Sequence, residues 1–137
     1  MMNIKSKIKV SSTAFLALLL SISVFSQNIQ ISGAGNPTEP SIMMDPNNSD
    51  ILVAGSNLNY FYTSSDGGAT WNVDTLTSSY GVWGDPVIDI DTSGHFYFTH
   101  LSNMVGGNWI DRIVCQKSTD AGSTWSDGSY TGLNGTK

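Results

Sequence analysis

Ser64-Ser65-Asp66-Gly67-Gly68-Ala69-Thr70-Trp71 returns 54 residues later as Ser118-Thr119-Asp120-Ala121-Gly122-Ser123-Thr124-Trp125. The shared frame is S-x-D-x-G-x-T-W, and its residue types suit a tight turn between two strands. The Asp66 and Asp120 carboxylates can accept bonds from turn N–H groups and from the Ser64 and Ser118 hydroxyls. Gly68 and Gly122 can adopt a positive φ. Thr70 and Thr124 close the frame, and Trp71 and Trp125 can fold back over the hairpin as its small core. The two aspartates resemble a catalytic pair, but this pattern makes them structural.

A second correspondence lies upstream. Glu39-Pro40-Ser41-Ile42-Met43-Met44-Asp45 parallels Asp85-Pro86-Val87-Ile88-Asp89-Ile90-Asp91 at a spacing of 46. The spacings differ by eight residues, so the second copy carries an insertion, placed most simply at 102–109. The first unit is expected to form strands at 41–44, 51–55, 59–63 and 70–75, separated by Asp45-Pro46-Asn47-Asn48, Ser56-Asn57 and Asp66-Gly67-Gly68. The second is expected to form strands at 86–90, 95–101 and 111–117, with a fourth beginning near Thr124. No stretch repeats apolar residues at helical spacing over three turns. The expectation is an all-β chain with four antiparallel strands per unit, which is the size and strand count of a β-propeller blade. Residues 39–83 make the first blade and 84–137 the second, with 27–38 as a linker or closing strand.

The chain begins differently. Lys5, Lys7 and Lys9 precede an apolar run from Ala14 to Phe25, and Val24-Phe25-Ser26 supplies small and apolar residues before Gln27. This is the pattern of a secretory signal peptide over residues 1–26, cleaved between Ser26 and Gln27. The run is shorter than the ~20 residues of a spanning helix, so no transmembrane segment is expected in the mature chain. Cleavage would leave Arg112, Lys117 and Lys137 against all eleven acidic residues. That balance excludes a nucleic-acid-binding face. The single cysteine, Cys115, excludes an internal disulfide framework.

The repeated motif resembles the Asp-box, or bacterial neuraminidase repeat, of sialidases and related propellers. The segment from Asp85 to Phe98, followed by Ile110-Asp111-Arg112-Ile113-Val114 and the second box, looks like a sialidase-type blade. The resemblance implies a secreted or surface protein with a six-bladed propeller. It also implies a glycosidase mechanism with an arginine clamp for the substrate carboxylate, a Tyr–Glu nucleophile and an Asp acid/base. Alignment on the proline of the family's Arg-Ile-Pro motif puts Gly84 at the first clamp arginine. The stretch 102–109 contains no Asp for the acid/base, and Arg112 is the one arginine in the chain. No catalytic residue is therefore assigned. Two blades cannot close a ring and would leave apolar faces open, so the chain is expected to be the N-terminal part of a longer protein whose later sequence supplies the remaining blades.

Up-and-down connectivity puts the loops entering the first strand, and those between the second and third, at the end opposite the boxes. That end gathers Glu39 and Asn57 from the first unit and Tyr80, Trp83, Asp85, Asn103, Trp109 and Asp111 from the second. Aromatic rings beside carboxylates and amides suit a sugar site, so these residues form the candidate ligand rim for an extracellular carbohydrate. Asp89-Ile90-Asp91-Thr92-Ser93-Gly94 has part of the spacing of a calcium loop, but position 12 is His100. A plain turn is expected, with no metal and no cofactor. His95 and His100 are expected to be packed or solvated strand residues that face different ways from a partner Cys or Asp pair, and Cys115 to be a buried small apolar residue. The leading reading is an exported glycan-binding or glycan-processing propeller. The alternatives are an exo-sialidase with its clamp beyond residue 137 and a non-enzymatic adhesion or scaffold propeller.

Overall fold

A computed structural model of the protein describes residues 28–33, 37–102, 110 and 112–130. Apolar and β-branched runs punctuated by Asp, Asn and Gly turns give seven strands: β1 (Ser41–Asp45), β2 (Asn48–Ser56), β3 (Tyr60–Ser64), β4 (Asn72–Thr75), β5 (Val87–Ile90), β6 (Phe96–Leu101) and β7 (Ile113–Ser118). β1 to β4 form one antiparallel sheet in sequence order, and β5 to β7 form a second. The described chain is all-β, and it contains no helix long and apolar enough to cross a membrane.

The strand ends differ from the sequence expectation by one to three residues, and one expected strand is absent among the described residues. β2 starts at Asn48 because the β1–β2 turn is only Pro46-Asn47, with the Asn47 N–H donating to Asp45 Oδ1 at 2.8 Å. β4 starts at Asn72 because Thr70 and Trp71 are held within the box turn. The fourth strand expected from Thr124 does not form among the described residues. Ser126-Asp127-Gly128 carries no β-branched side chain, and Gly128 takes φ 101. The segment instead lies beside β7 through the Ser126 N–H to Lys117 O at 2.9 Å and an isolated Cys115–Ser129 bridge.

Strand side chains alternate between faces, so the ladder fixes which residues meet. In the first sheet Met43, Val53, Gly55 and Phe61 face the second sheet. In the second sheet Ile88, Ile90, Phe96 and Phe98 face the first. Val53, Phe96 and Phe98 are fully buried between them. The approach is closest at Gly55, where a Cβ would stand 2.8 Å from the Phe98 ring. Between β1 and β5, Ser41 Oγ accepts from the Ile88 N–H at 2.9 Å.

The two sheets share one register. Leu52 pairs with Ser64 and Phe96 pairs with Ser118, so each box begins at the same ladder position. Ile42 corresponds to Ile88, Met44 to Ile90, Leu52 to Phe96, Ala54 to Phe98, Phe61 to Cys115 and Tyr62 to Gln116. The face that the second sheet turns inward is thus the counterpart of the face that the first sheet turns outward. Unlike faces meet. Both outer faces carry exposed apolar side chains: Ile42, Met44 and Val73 on the first sheet, Val87 and Ile113 on the second.

Phe98→Ala removes the ring seated on Gly55, and a cavity between close-packed sheets costs about 3–5 kcal/mol. Urea unfolding followed by tryptophan fluorescence should show that loss. A change below about 1 kcal/mol would mean that the sheets do not depend on this contact.

Candidate functional site

At each box the aspartate is consumed by its own turn. The Ser64 hydroxyl donates to Asp66 Oδ1 at 2.8 Å and accepts from the Gly68 N–H at 2.9 Å. The Thr70 N–H reaches Asp66 Oδ1 at 2.9 Å, and the Thr70 hydroxyl reaches Oδ2 at 2.6 Å. Ser118, Asp120, Gly122 and Thr124 repeat the arrangement. Gly68 and Gly122 take φ 87 and φ 83. These bonds favour the anions: the Thr70 hydroxyl, with its N–H and the Ser64 hydroxyl, lowers the Asp66 pKa to about 2. The Thr124 hydroxyl is the main cause of a lowered Asp120. Such carboxylates are poor proton carriers near neutral pH. The tryptophans diverge. Trp71 Nε1 donates to Gly68 O of its own turn at 3.0 Å, whereas Trp125 lies between the sheets, edge-on to Phe61 and Phe98.

The opposite end is organised by Asn57, in the turn between β2 and β3. Its N–H donates to Thr38 O at 3.0 Å, and its Nδ2 donates to Glu39 Oε2 at 2.7 Å. Its Oδ1 accepts from the Asp85 N–H at 2.8 Å. Glu39, Asn57 and Asp85 are therefore brought together, one from each strand-entering loop and one between them. Glu39 takes φ 54 and Asp85 φ 49, each just before a proline, a placement that holds local strain. Both carboxylates are exposed. Gly84 approaches so closely that a Cβ would stand 2.3 Å from Asn57 Oδ1.

The other rim candidates separate. Trp83 lies at the same end, half-buried, its N–H donating to Leu101 O at 2.9 Å. Tyr80 packs edge-on against Tyr130, with ring centroids 5.2 Å apart, and the Arg112 guanidinium stands 4.3 Å from the Tyr130 ring centre. Asn103, Trp109 and Asp111 lie outside the described residues, as do Ser26 and Gln27. Sequence reasoning missed Asp127, which accepts from the Ser79 N–H at 2.6 Å and from the Ser79 hydroxyl. Its partner is 48 residues away, so no local pattern announces it.

Two expectations need correction. His95 does face an aspartate: its Nδ1 lies 3.0 Å from Asp91 Oδ2, which also accepts from the Tyr97 hydroxyl at 2.9 Å. Asp91 Oδ1 accepts from the Ser93 and His95 N–H groups, curling the turn so that the histidine side chain returns over it. The His95 N–H is the main cause holding Asp91 well below the usual carboxylate range. Cys115 is half-buried on the outer face rather than buried. His100 is buried on the inner face, with Nδ1 2.9 Å from Leu101 O, and burial lowers its pKa. The stretch Asp89–Gly94 runs from the end of β5 into a turn, and its carboxylates serve backbone N–H groups and the His95 and Tyr97 side chains. Among the described residues no group of three or more His, Cys, Asp or Glu could hold a metal ion. No family model, curated protein or solved structure matches this chain.

The lowered aspartates set a pH dependence. A carboxylate with a depressed folded pKa binds protons more weakly than in the unfolded chain. Its contribution is complete above the unfolded value of about 3.9 and is lost as pH falls through the folded value. For Asp66 that window closes at about 2. The melting temperature should fall gently from pH 7 to pH 5, where the unfolded His100 takes up a proton that the buried ring resists, and steeply below about pH 4. Asp66→Asn should flatten part of that fall. An unchanged acid limb would show that the turn bonds do not favour the anion.

Proposed function

We propose that the two sheets are consecutive blades of a sialidase-type Asp-box propeller, exported from the cell, that binds extracellular glycans through the end opposite the boxes. The observation that carries the blade reading is the meeting of unlike faces in one shared register. Successive blades are related by rotation about a central axis, so each lays one face on the opposite kind of face of the next. A sandwich built by two-fold doubling would bring like faces together.

Glycan binding is supported by the Asn57 cluster. Exposed Glu39 and Asp85 carboxylates can accept bonds from sugar hydroxyls, and Trp83 at the same end offers an apolar ring. Binding is favoured over hydrolysis by Gly84, which stands at the position of the clamp arginine. It has no room for a side chain beside Asn57. The alignment also leaves no counterpart for the acid/base.

The test is a glycan-array screen followed by titration of any hit. Asp85→Asn keeps a side chain that tolerates the left-handed backbone and removes the charge. It should weaken binding about ten-fold, the value of one charge-assisted hydrogen bond, with an unchanged melt. Trp109→Ala should do the same. Binding untouched by both variants, or no glycan bound at all, would overturn this reading.

A further inference from the structure

We propose that the crevice between the two sheets, beside the second box, binds one uncharged sugar ring. It lies where the sheets already meet within the chain, and its lining shares no residue with the Asn57 cluster.

The crevice holds about 180 Å³. Asp74 and Thr75 on β4 and Thr77 just after it line one side, and Ser123 and Thr124 of the second box line the other. The rings of Phe61 and Trp125, edge-on with centroids 5.9 Å apart, add an apolar part. Asp74 pairs with Phe61 in the ladder, so both side chains turn toward the second sheet.

These groups match a pyranose. Asp74 Oδ1 accepts from the Thr75 N–H at 2.7 Å, and its Oδ2 can accept from sugar hydroxyls. The Thr124 hydroxyl gives its proton to Asp120 Oδ2, so its oxygen serves as an acceptor. The Thr75, Thr77 and Ser123 hydroxyls can both donate and accept. The two rings offer contact to the C–H groups of a sugar.

The second tryptophan points the same way. Trp71 gives its indole N–H to Gly68 O of its own turn at 3.0 Å. Trp125 holds the same place in the repeat but packs on Phe61 and Phe98 instead, and its buried Nε1 has no hydrogen-bond partner among the described residues. Gln116, fully buried, has the complementary defect: its Nε2 donates to Thr77 O at 2.9 Å, while its Oε1 has no such partner. Buried polar atoms are seldom left so in a native fold. A spare donor and a spare acceptor thus stand at the crevice, Trp125 as part of the lining and Gln116 bonded to it through Thr77. A polyhydroxylated ligand can satisfy both kinds of atom, directly or through a water that it holds.

Size and charge set the class of sugar. The volume is below the roughly 300–1,000 Å³ of pockets for drug-sized ligands, which suits a single ring rather than an extended chain. Asp74 is the one charged residue in the lining, so an anionic sugar meets a like charge.

Heteronuclear NMR of the purified full chain tests this, because each tryptophan gives one indole N–H signal and single Trp→Phe variants assign it. Glucose, galactose, mannose and N-acetylglucosamine are titrated in turn, with N-acetylneuraminic acid as the anionic comparison. At least one neutral sugar should shift the Trp125 signal saturably, while Trp71, engaged in its own turn, stays still. The anionic sugar should leave Trp125 unmoved. Asp74→Asn changes an exposed side chain and should weaken the neutral sugar about ten-fold. Ser123→Leu fills the crevice and should abolish the shift. Circular dichroism melts check that each variant is folded, and Thr77→Val, which should also weaken binding, replaces one that is not. A Trp125 signal that no neutral sugar moves would overturn the proposal. So would a shift that survives the folded variants, or one that the anionic sugar produces equally. Trp83 separates this site from the opposite end: Trp83 moving without Trp125 overturns the crevice and supports the rim, and Trp125 moving without Trp83 supports the crevice alone.

Discussion

A carboxylate whose acceptors are taken by its own hairpin is the constraint on which this chain turns. Asp66 and Asp120 draw the serine, the threonine and two backbone N–H groups into one closed set of bonds. That set decides where β3 and β7 stop. In a sheet a slip of one residue moves every side chain to the other face. Pinning Ser64 opposite Leu52, and Ser118 opposite Phe96, therefore decides that Phe61 and Phe98 point into the gap between the sheets. The core is a consequence of the turns as much as of its hydrophobicity.

The same polarity of faces organises the other end. Asn57 belongs to the first sheet, yet it binds the backbone that enters the second, while Ser41 on β1 accepts from Ile88 on β5. Backbone strain at Glu39 and Asp85 persists because Asn57 engages both residues. The loops that carry the exposed carboxylates are thus tied to each other through Asn57. That is the condition a selective binding surface needs.

What was legible in the sequence had its causes close by. The box bonds span two to four residues, and the strands carry their alternation and turn residues with them. The end of the second unit was not legible, because Ser126-Asp127-Gly128 is claimed by Ser78 and Ser79 from far upstream. Asn57 was expected at the rim, but its role as a bridge depends on partners 18 and 28 residues away. The His95–Asp91 contact was missed despite being local. Strand alternation does not reveal it, because His95 precedes β6 and the turn before it sets its position.

Equivalent ladder positions hold different buried polar pairs. Ser56 Oγ and Tyr62 OH stand 2.8 Å apart in the first sheet, and His100 Nε2 and Gln116 Nε2 stand 3.4 Å apart at the same positions in the second. The members depend on one another to different degrees, because Gln116 Nε2 also donates to Thr77 O at 2.9 Å and His100 Nδ1 stands 2.9 Å from Leu101 O. A change of one member toward the residue of the other sheet, Ser56→His or Tyr62→Gln, alters size and donor set at one position and leaves the other fitted to its former partner. Each pair should therefore tolerate exchange at both positions together better than at either one alone.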